Sequence, residues 1–244
     1  GALSAGSASG EGAGGSIWIT TGQVGGTGKI SADGGTTSNG NHVGGGGGRV
    51  AIYANSVDPS ANLNGLLDVT ALGGDGFYGD GGPGTVFLQL PGQTEGTLYL
   101  DQGNRNPGTG PASLPWIGPG AAVAVTNATL TVSGQVPLLP NGLIGNLLNP
   151  DTTQSEAFEI LSNTANLITV KTPNANGVAF SSVAAAGTTY AGVSRFDEVV
   201  LRRKTTLELS DILEVGGTLA VTQSSRLTHA KTTQSYAGKL DLRV

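Results

Sequence analysis

The side chains that could do chemistry in this 244-residue chain are 17 carboxylates, 12 lysines and arginines and two histidines, with no cysteine. Thiolate catalysis and disulfide bonding are therefore excluded. The histidines, His42 and His229, stand in unrelated segments, where an isolated imidazole reads as a surface or corner residue rather than half of an acid–base pair. The carboxylates are spread one per strand or loop. Asp197 and Glu198 alone are adjacent, and a strand sends neighbours to opposite faces. Neither the G-x-S-x-G elbow of a serine nucleophile nor the H-E-x-x-H pair of a zinc site occurs. Residues 10–15 fit the dinucleotide pattern G-x-G-x-x-G, but that pattern needs a strand before it and a helix after it, and no helical periodicity follows. Gly28-Lys29 is followed by Ile30, where a phosphate-binding loop has Ser or Thr.

Residues 73–82, GGDGFYGDGG, follow part of the calcium-binding nonapeptide pattern G-G-x-G-x-D-x-U-x. Gly73, Gly74 and Gly76 match, while Tyr78 stands where the liganding Asp belongs. Calcium takes roughly six to eight oxygens, so Asp75 and Asp80, helped by backbone carbonyls, are the candidate metal ligands. Aspartate in such a loop more often caps the turn. No other cofactor is indicated.

The elements available to position such residues are short strands. Glycine precedes three segments in which aliphatic residues sit two apart: Ile17 and Ile19, Val50 and Ile52, Val86 and Leu88. That alternation buries one face of a strand. Each segment is followed by a second candidate strand, within 28–35, 65–71 and 96–101. From Gly15 to Gly48 to Gly84 the unit recurs at roughly 33 to 36 residues, inside the range of repeat architectures. A unit this small cannot bury its own apolar face, so copies must stack. The pattern predicts an all-β chain, a parallel β-helix (β-solenoid) with a small inserted β subdomain. Trp18, Ala51 and Phe87 hold the same place between the buried aliphatics and form one outward column. Trp18 and Phe87 are thus a candidate platform for carbohydrate or another partner. Cover by the glycine loops or by the insertion is the arrangement expected ahead of it. The glycine run 44–48 reads as a sharp corner where one coil lies against the next, the other reading being a flexible lip over a groove.

Prolines at 107, 111, 115 and 119 mark a boundary, beyond which the glycine tracts stop. The predicted organisation is glycine-rich coils over 1–120, a small β excursion over 121–195 and a return to coils over 196–244. Within the excursion, strands are expected in 121–133, 143–150, 157–161 and 166–171, with a helical turn near 182–186. The last part carries short alternating strands at 207–209, 213–215, 219–221 and 240–242. Leu207 to Leu227 and Leu219 to Leu240 are each separated by about 20 residues, near the lower end of solenoid periods. A final strand over 239–244 would leave an open edge.

The 42 glycines fall in tracts without a three-residue period, which excludes a collagen helix. Patterned Val, Ile and Leu runs between the tracts argue against disorder. A net charge of −5 argues against nucleic acid as a partner. No apolar run is long enough to insert across a bilayer. The chain starts at Gly1 without a leader peptide, so a mature or excised piece of something longer is expected. Cysteine-free β chains rich in Gly, Thr and Asn suit bacterial export.

Residues 14–19 (GGSIWI), 28–35 (GKISADGG) and 46–53 (GGGRVAIY) resemble the glycine-rich repeats of very large secreted proteins of myxobacteria and related environmental bacteria. Residues 196–200, 213–219 and 227–229 resemble the other half of that repeat. The likeness covers most of the chain and implies a right-handed parallel β-helix and export. In those proteins the segment like 196–244 comes before the segment like 1–100, so this chain would be a frame cut across a head-to-tail array. The expected function is an extracellular structural or adhesive module of the cell surface, without catalysis. It would be a repeat of a long protein or a fibre subunit that self-associates end to end through open strand edges. A glycan-binding module using Trp18 and Phe87 is one alternative. A polysaccharide-acting β-helix, a lyase, hydrolase or phage tailspike type, is another. A hydrolase of that kind needs clustered Asp pairs with a nearby His and Arg, and a lyase needs a carboxylate cluster beside a base. Neither string is present.

Overall fold

A computed structural model describes residues 9–37, 42–61, 69–105, 111–133, 137–230 and 240–244. The protein is essentially all-β, 44% strand and 2% helix, and is built on a large mixed sheet. The first seven strands are β1 (Ser9–Gly10), β2 (Ser16–Thr21), β3 (Ile30–Ser31), β4 (His42–Val43), β5 (Arg49–Ala54), β6 (Val69–Thr70) and β7 (Thr85–Gln89). Strands β2, β5 and β7 lie parallel and in register, with Ile17, Val50 and Val86 in one row and Ile19, Ile52 and Leu88 in the next. The rows form because the alternating aliphatics all turn to the same side. There they pack on Ala32, Val69 and Ala71 from the chain that returns through β3 and β6, themselves a parallel pair. Residues 65–68 of the strand expected within 65–71 lie outside the described residues.

Between these strands the glycine tracts pack backbone on backbone. Segments near residues 12, 45 and 81 form one layer and segments near 34 and 73 form another. Within the first layer Gly14 N–H donates to Gly46 O (2.8 Å) and Gly47 N–H to Gly82 O (2.9 Å). Within the second, Ala32 N–H reaches Thr70 O (2.9 Å) and Gly34 N–H reaches Leu72 O (2.8 Å). Across the two run Gly35 N–H to Gly12 O (2.8 Å), Gly45 N–H to Gly35 O (3.0 Å) and Gly74 N–H to Gly45 O (2.7 Å). A Cβ on Gly45 would lie 2.1 Å from Gly12 O, and one on Gly48 1.9 Å from Gly15 O. Glycine is required here by the proximity of neighbouring chains, and the hydrogen bonds satisfy backbone that a side-chain core could not. The run 44–48 is accordingly held on both sides by neighbouring segments.

The second set of parallel strands is β8 (Thr97–Asp101) and β9 (Ala112–Ser113), joined much later in the chain by β15 to β19. The excursion between them contributes β10 (Gly120–Val125), β11 (Thr129–Val132), β12 (Leu147–Asn149), β13 (Phe158–Asn163), β14 (Leu167–Val170) and the helical turn α1 (Phe180–Val183). The return comprises β15 (Thr189–Arg202), β16 (Thr206–Leu209), β17 (Ile212–Val221), β18 (Arg226–His229) and β19 (Leu242–Arg243). Strand β8 does not continue the stack of β3 and β6 as the second strand of a third unit. It turns back through 90–93, where Gly92 adopts φ +85°, and pairs antiparallel with β7. The far edge of β8 then pairs in parallel with β15, and β15 with β17. Beside them β16 runs parallel to β9 and β18, with Leu207 opposite Leu227 as their spacing predicts. Corner residues Arg203-Lys204 and Gln223-Ser224 are left-handed in both turns, linked by Lys204 N–H to Gln223 O at 3.0 Å. Leu98, Leu100, Val199, Leu201, Leu207 and Leu213 fill this second core. Gln102, which follows β8, closes the glycine layers by donating its side-chain amide to Gly81 O (2.6 Å), and the Arg105 guanidinium donates to Gly73 O.

Gly216 and Gly217 lie inside β17 rather than between two strands. The register slips there, three residues of β17 spanning two of β15, as glycines at a bulge allow. Strand β19 pairs Leu242 with Leu213, so Leu240 does not stack on Leu219. The excursion is antiparallel, in the order β10-β11-β14-β13-β12, and β12 joins the first half of β15. Its own core holds Leu130, Leu148, Phe158, Ile160, Ile168 and Phe180, the two phenyl rings meeting edge to face at 5.1 Å. Of the predicted strand at 143–150 only Leu147–Asn149 is extended, because the residues before it form a turn with Gly145 at φ +83°. The helical turn begins two residues earlier than expected, anchored by buried Phe180.

Candidate functional site

The outer face of β2, β5 and β7 carries a row of aromatic rings. Trp18 and Phe87 are aligned through Ala51 in the strand register, and the ring that joins them is Tyr53, one alternation further along β5. Centroids are 4.8 Å apart for Trp18 and Tyr53 and 5.4 Å for Tyr53 and Phe87. The row continues to Phe196 on β15, 6.2 Å from Phe87. This last step depends on Gly96, whose φ is +69° and whose absent Cβ would lie 2.5 Å from Phe87 Cζ. Asp197 holds that turn in place: its Oδ2 accepts the N–H groups of Thr94, Glu95 and Gly96 at 2.8, 2.9 and 2.9 Å. The adjacent acids Asp197 and Glu198 thus include one whose work is to anchor backbone. Trp18 is 70% exposed, and its indole N–H donates to Thr20 Oγ1 at 3.3 Å.

Beyond Tyr53 and Phe196 the surface drops into a cleft of about 740 Å³. One side is formed by Arg195 and Phe196 of β15 with Glu95, and the other by the excursion, through Glu159, Lys171 and Asn174. Its cations are compensated. Arg195 donates through Nε and Nη2 to Glu214 Oε2 at 2.8 and 2.7 Å, and Glu214 also takes Arg243 at 3.1 Å. Lys171 pairs with Glu159 at 3.5 Å. Asn174 gives its amide to Glu156 (2.6 Å) and, with Asn176, holds that carboxyl below its usual range. Burial pushes the Tyr53 phenol upward, so it is a neutral hydroxyl at physiological pH. The residues can stack against a ring and exchange hydrogen bonds.

Comparison with protein-family models, with curated proteins and with solved structures finds no match to this chain. Function rests on the site itself.

The candidate calcium ligands lie elsewhere. Asp80 is buried and its Oδ1 accepts the Gly76 N–H at 3.1 Å, closing the loop of which it is a part. Asp75 is exposed, its N–H donating to Thr36 Oγ1 (3.2 Å) and its carbonyl accepting from Thr37 (3.0 Å). Among the described residues no group of three or more His, Cys, Asp or Glu is placed to hold a metal ion. His42 lies 3.9 Å from Glu11, and His229 Nδ1 is 2.8 Å from Ala230 O. Tyr53 was legible from the alternation that buries Val50 and Ile52 and turns Ala51 and Tyr53 outward. The cleft was not, because it exists only where the excursion meets β15.

Proposed function

We propose that this chain is a structural β-solenoid module of an exported surface protein, in which the sheet continues from one copy to the next and no reaction is catalysed. The observation that carries the reading is the state of the outermost coil. Val50 and Ile52 of β5 are 1% and 0% exposed, whereas Ile17 and Ile19, in the same rows on β2, are only half-buried. Among the described residues β2 pairs on one side alone, with β5. At the other end of the ladder β19 pairs with β17 alone, and Leu242 is half-buried. Edges of this kind invite a further strand. The in-register rows, the glycine layers and the repeat resemblance in residues 14–53 and 196–229 support the same reading, as does the absence of cysteine for export. The engagement of Asp197, Asp101 and Glu214 in structural bonds supports the lack of catalysis.

In the mixed sheet β2 and β19 run in opposite senses, so a junction between copies would repeat the antiparallel pairing of β7 with β8. A head-to-tail tandem of two copies is expected to melt as one unit at a higher temperature than the single chain, because solenoid stability adds through nearest-neighbour interfaces. Replacing Ile19 of the second copy with Lys should remove that gain. A tandem melting at the temperature of the single chain would overturn the reading.

A further inference from the structure

We propose that the aromatic row and the cleft form one continuous binding surface for a neutral, extended oligosaccharide. The proposal rests on this surface and is independent of stacking between copies. Four observations support it. Trp18, Tyr53, Phe87 and Phe196 follow one another at 4.8, 5.4 and 6.2 Å with successive tilts of 31°, 51° and 56°, so the inner rings lean on one another while Trp18 keeps an open face, and the row is longer than a single sugar ring can cover. An aromatic face takes the C–H face of a pyranose, while the hydroxyls at the sugar's edge need polar partners, which is the mixture of apolar floor and few polar groups found in small-ligand sites. The polar partners are in the cleft, which Tyr53, Glu95 and the Lys171–Glu159 pair line.

Charge decides the class of sugar. Glu95 and Glu159 balance Lys171 and Arg195 in the cleft, and Arg195 is already bound by Glu214. An anionic chain would have to break these pairs and approach a protein of net charge −5. A neutral chain does neither. Gly96 and Asp197 add the fourth observation, for they hold a turn without a side chain under the Phe87 ring, and so keep the row unbroken from Trp18 to the cleft.

The test is calorimetric titration of the whole chain, at a concentration where it sediments as a monomer, with cellohexaose, xylohexaose and mannohexaose, the corresponding trisaccharides, and oligogalacturonate. At least one neutral hexasaccharide is expected to bind, and Tyr53→Ala to weaken it tenfold or more. Trp18→Ala should weaken the hexasaccharide several-fold and leave the trisaccharide, seated in the cleft, unchanged. In a Trp116→Phe background, sugar should shift the emission of Trp18. Trp18 is so exposed that its replacement keeps the test valid even if the Tyr53 variant fails to fold. The proposal is overturned if none of the three hexasaccharides binds up to millimolar concentration. It is equally overturned if oligogalacturonate binds more tightly than any of them, or if affinity is unmoved by both variants; capture of a protein partner on Trp18 without sugar binding would also count against it.

Discussion

Among the carboxylates of the described residues, Asp211 is deeply withdrawn from water. It is buried between β16 and β17, and its oxygens accept the N–H groups of Ile117 (2.6 Å) and Gly118 (3.1 Å) while touching the place where Gly192 lacks a Cβ. Burial raises its pKa from 3.8 to about 6, against the backbone N–H donors of Ile117, Gly118 and Gly192, which pull it down. The buried carboxylate in turn helps burial to raise the Tyr190 phenol. A folded pKa above the unfolded one means that the native chain holds the proton more tightly. Raising the pH from about 4 to 7 therefore removes stability, on the order of 3 kcal/mol when the proton is fully lost. Asp33 acts in the opposite sense. Burial raises its pKa, but the Leu72 N–H, Ser31, Thr70 and Lys29 outweigh burial and leave it lowered from 3.8. Its contribution is complete above that value and lost only as the pH falls through the lower folded pKa. Thermal melts should thus show Tm declining between pH 4 and 7 in the native chain and a flatter profile in Asp211→Asn, whatever that change does to Tm itself. An unaltered slope in the variant would remove Asp211 as the cause.

At the scale of elements, the glycine layers set the tightest constraint. Gly45→Ala and Gly48→Ala each put a methyl group about 2 Å from a backbone carbonyl oxygen, which no rotamer can avoid. Chemical denaturation is expected to show a loss of about 4 kcal/mol or more for either, the range of severe packing lesions. Gly28→Ala is the control, since nothing lies within 4 Å of its Cβ position; its effect should stay within about 1 kcal/mol. The close approach of neighbouring segments at 44–48 was legible, because alternating aliphatics and glycine tracts recur together. The reversal between β7 and β8 was not. Leu90-Pro91-Gly92-Gln93 reads as a turn in either direction, and Gly92 at φ +85° with Gln93 N–H bonded to Leu90 O (3.1 Å) closes it tightly enough for a hairpin. Gly216-Gly217 reads as a strand break, yet a bulge absorbs them. Trp18 and Phe87 were found by counting alternate residues within strands, whereas Phe196 is separated from Phe87 by more than a hundred residues and is brought near by the pairing of β8 with β15.

Across the whole molecule the sheet is one ladder, from β2 through β5, β7, β8 and β15 to β17 and β19, with the antiparallel excursion attached to the first half of β15. Strand β15 is bracketed by β8 and β12 on one side and β17 on the other, and Val199 and Leu201 are wholly buried. Protection of such a ladder follows the number of neighbours each rung has, since opening an end strand exposes one interface and opening an inner strand exposes two. Amide hydrogen exchange read by mass spectrometry should therefore be slowest across β5, β8 and β15 and should quicken toward β2 and β19. In the head-to-tail tandem, β2 of the second copy should slow roughly five- to thirty-fold, because covering the half-buried Ile17 and Ile19 supplies about 1 to 2 kcal/mol. The first copy's β2, still an outer strand, should not change, which separates a specific junction from a general stiffening of the longer chain. Were β2 of the single chain already as slow as β5, its outer side would be covered within one copy, and the sheet would have no open edge on which to add the next.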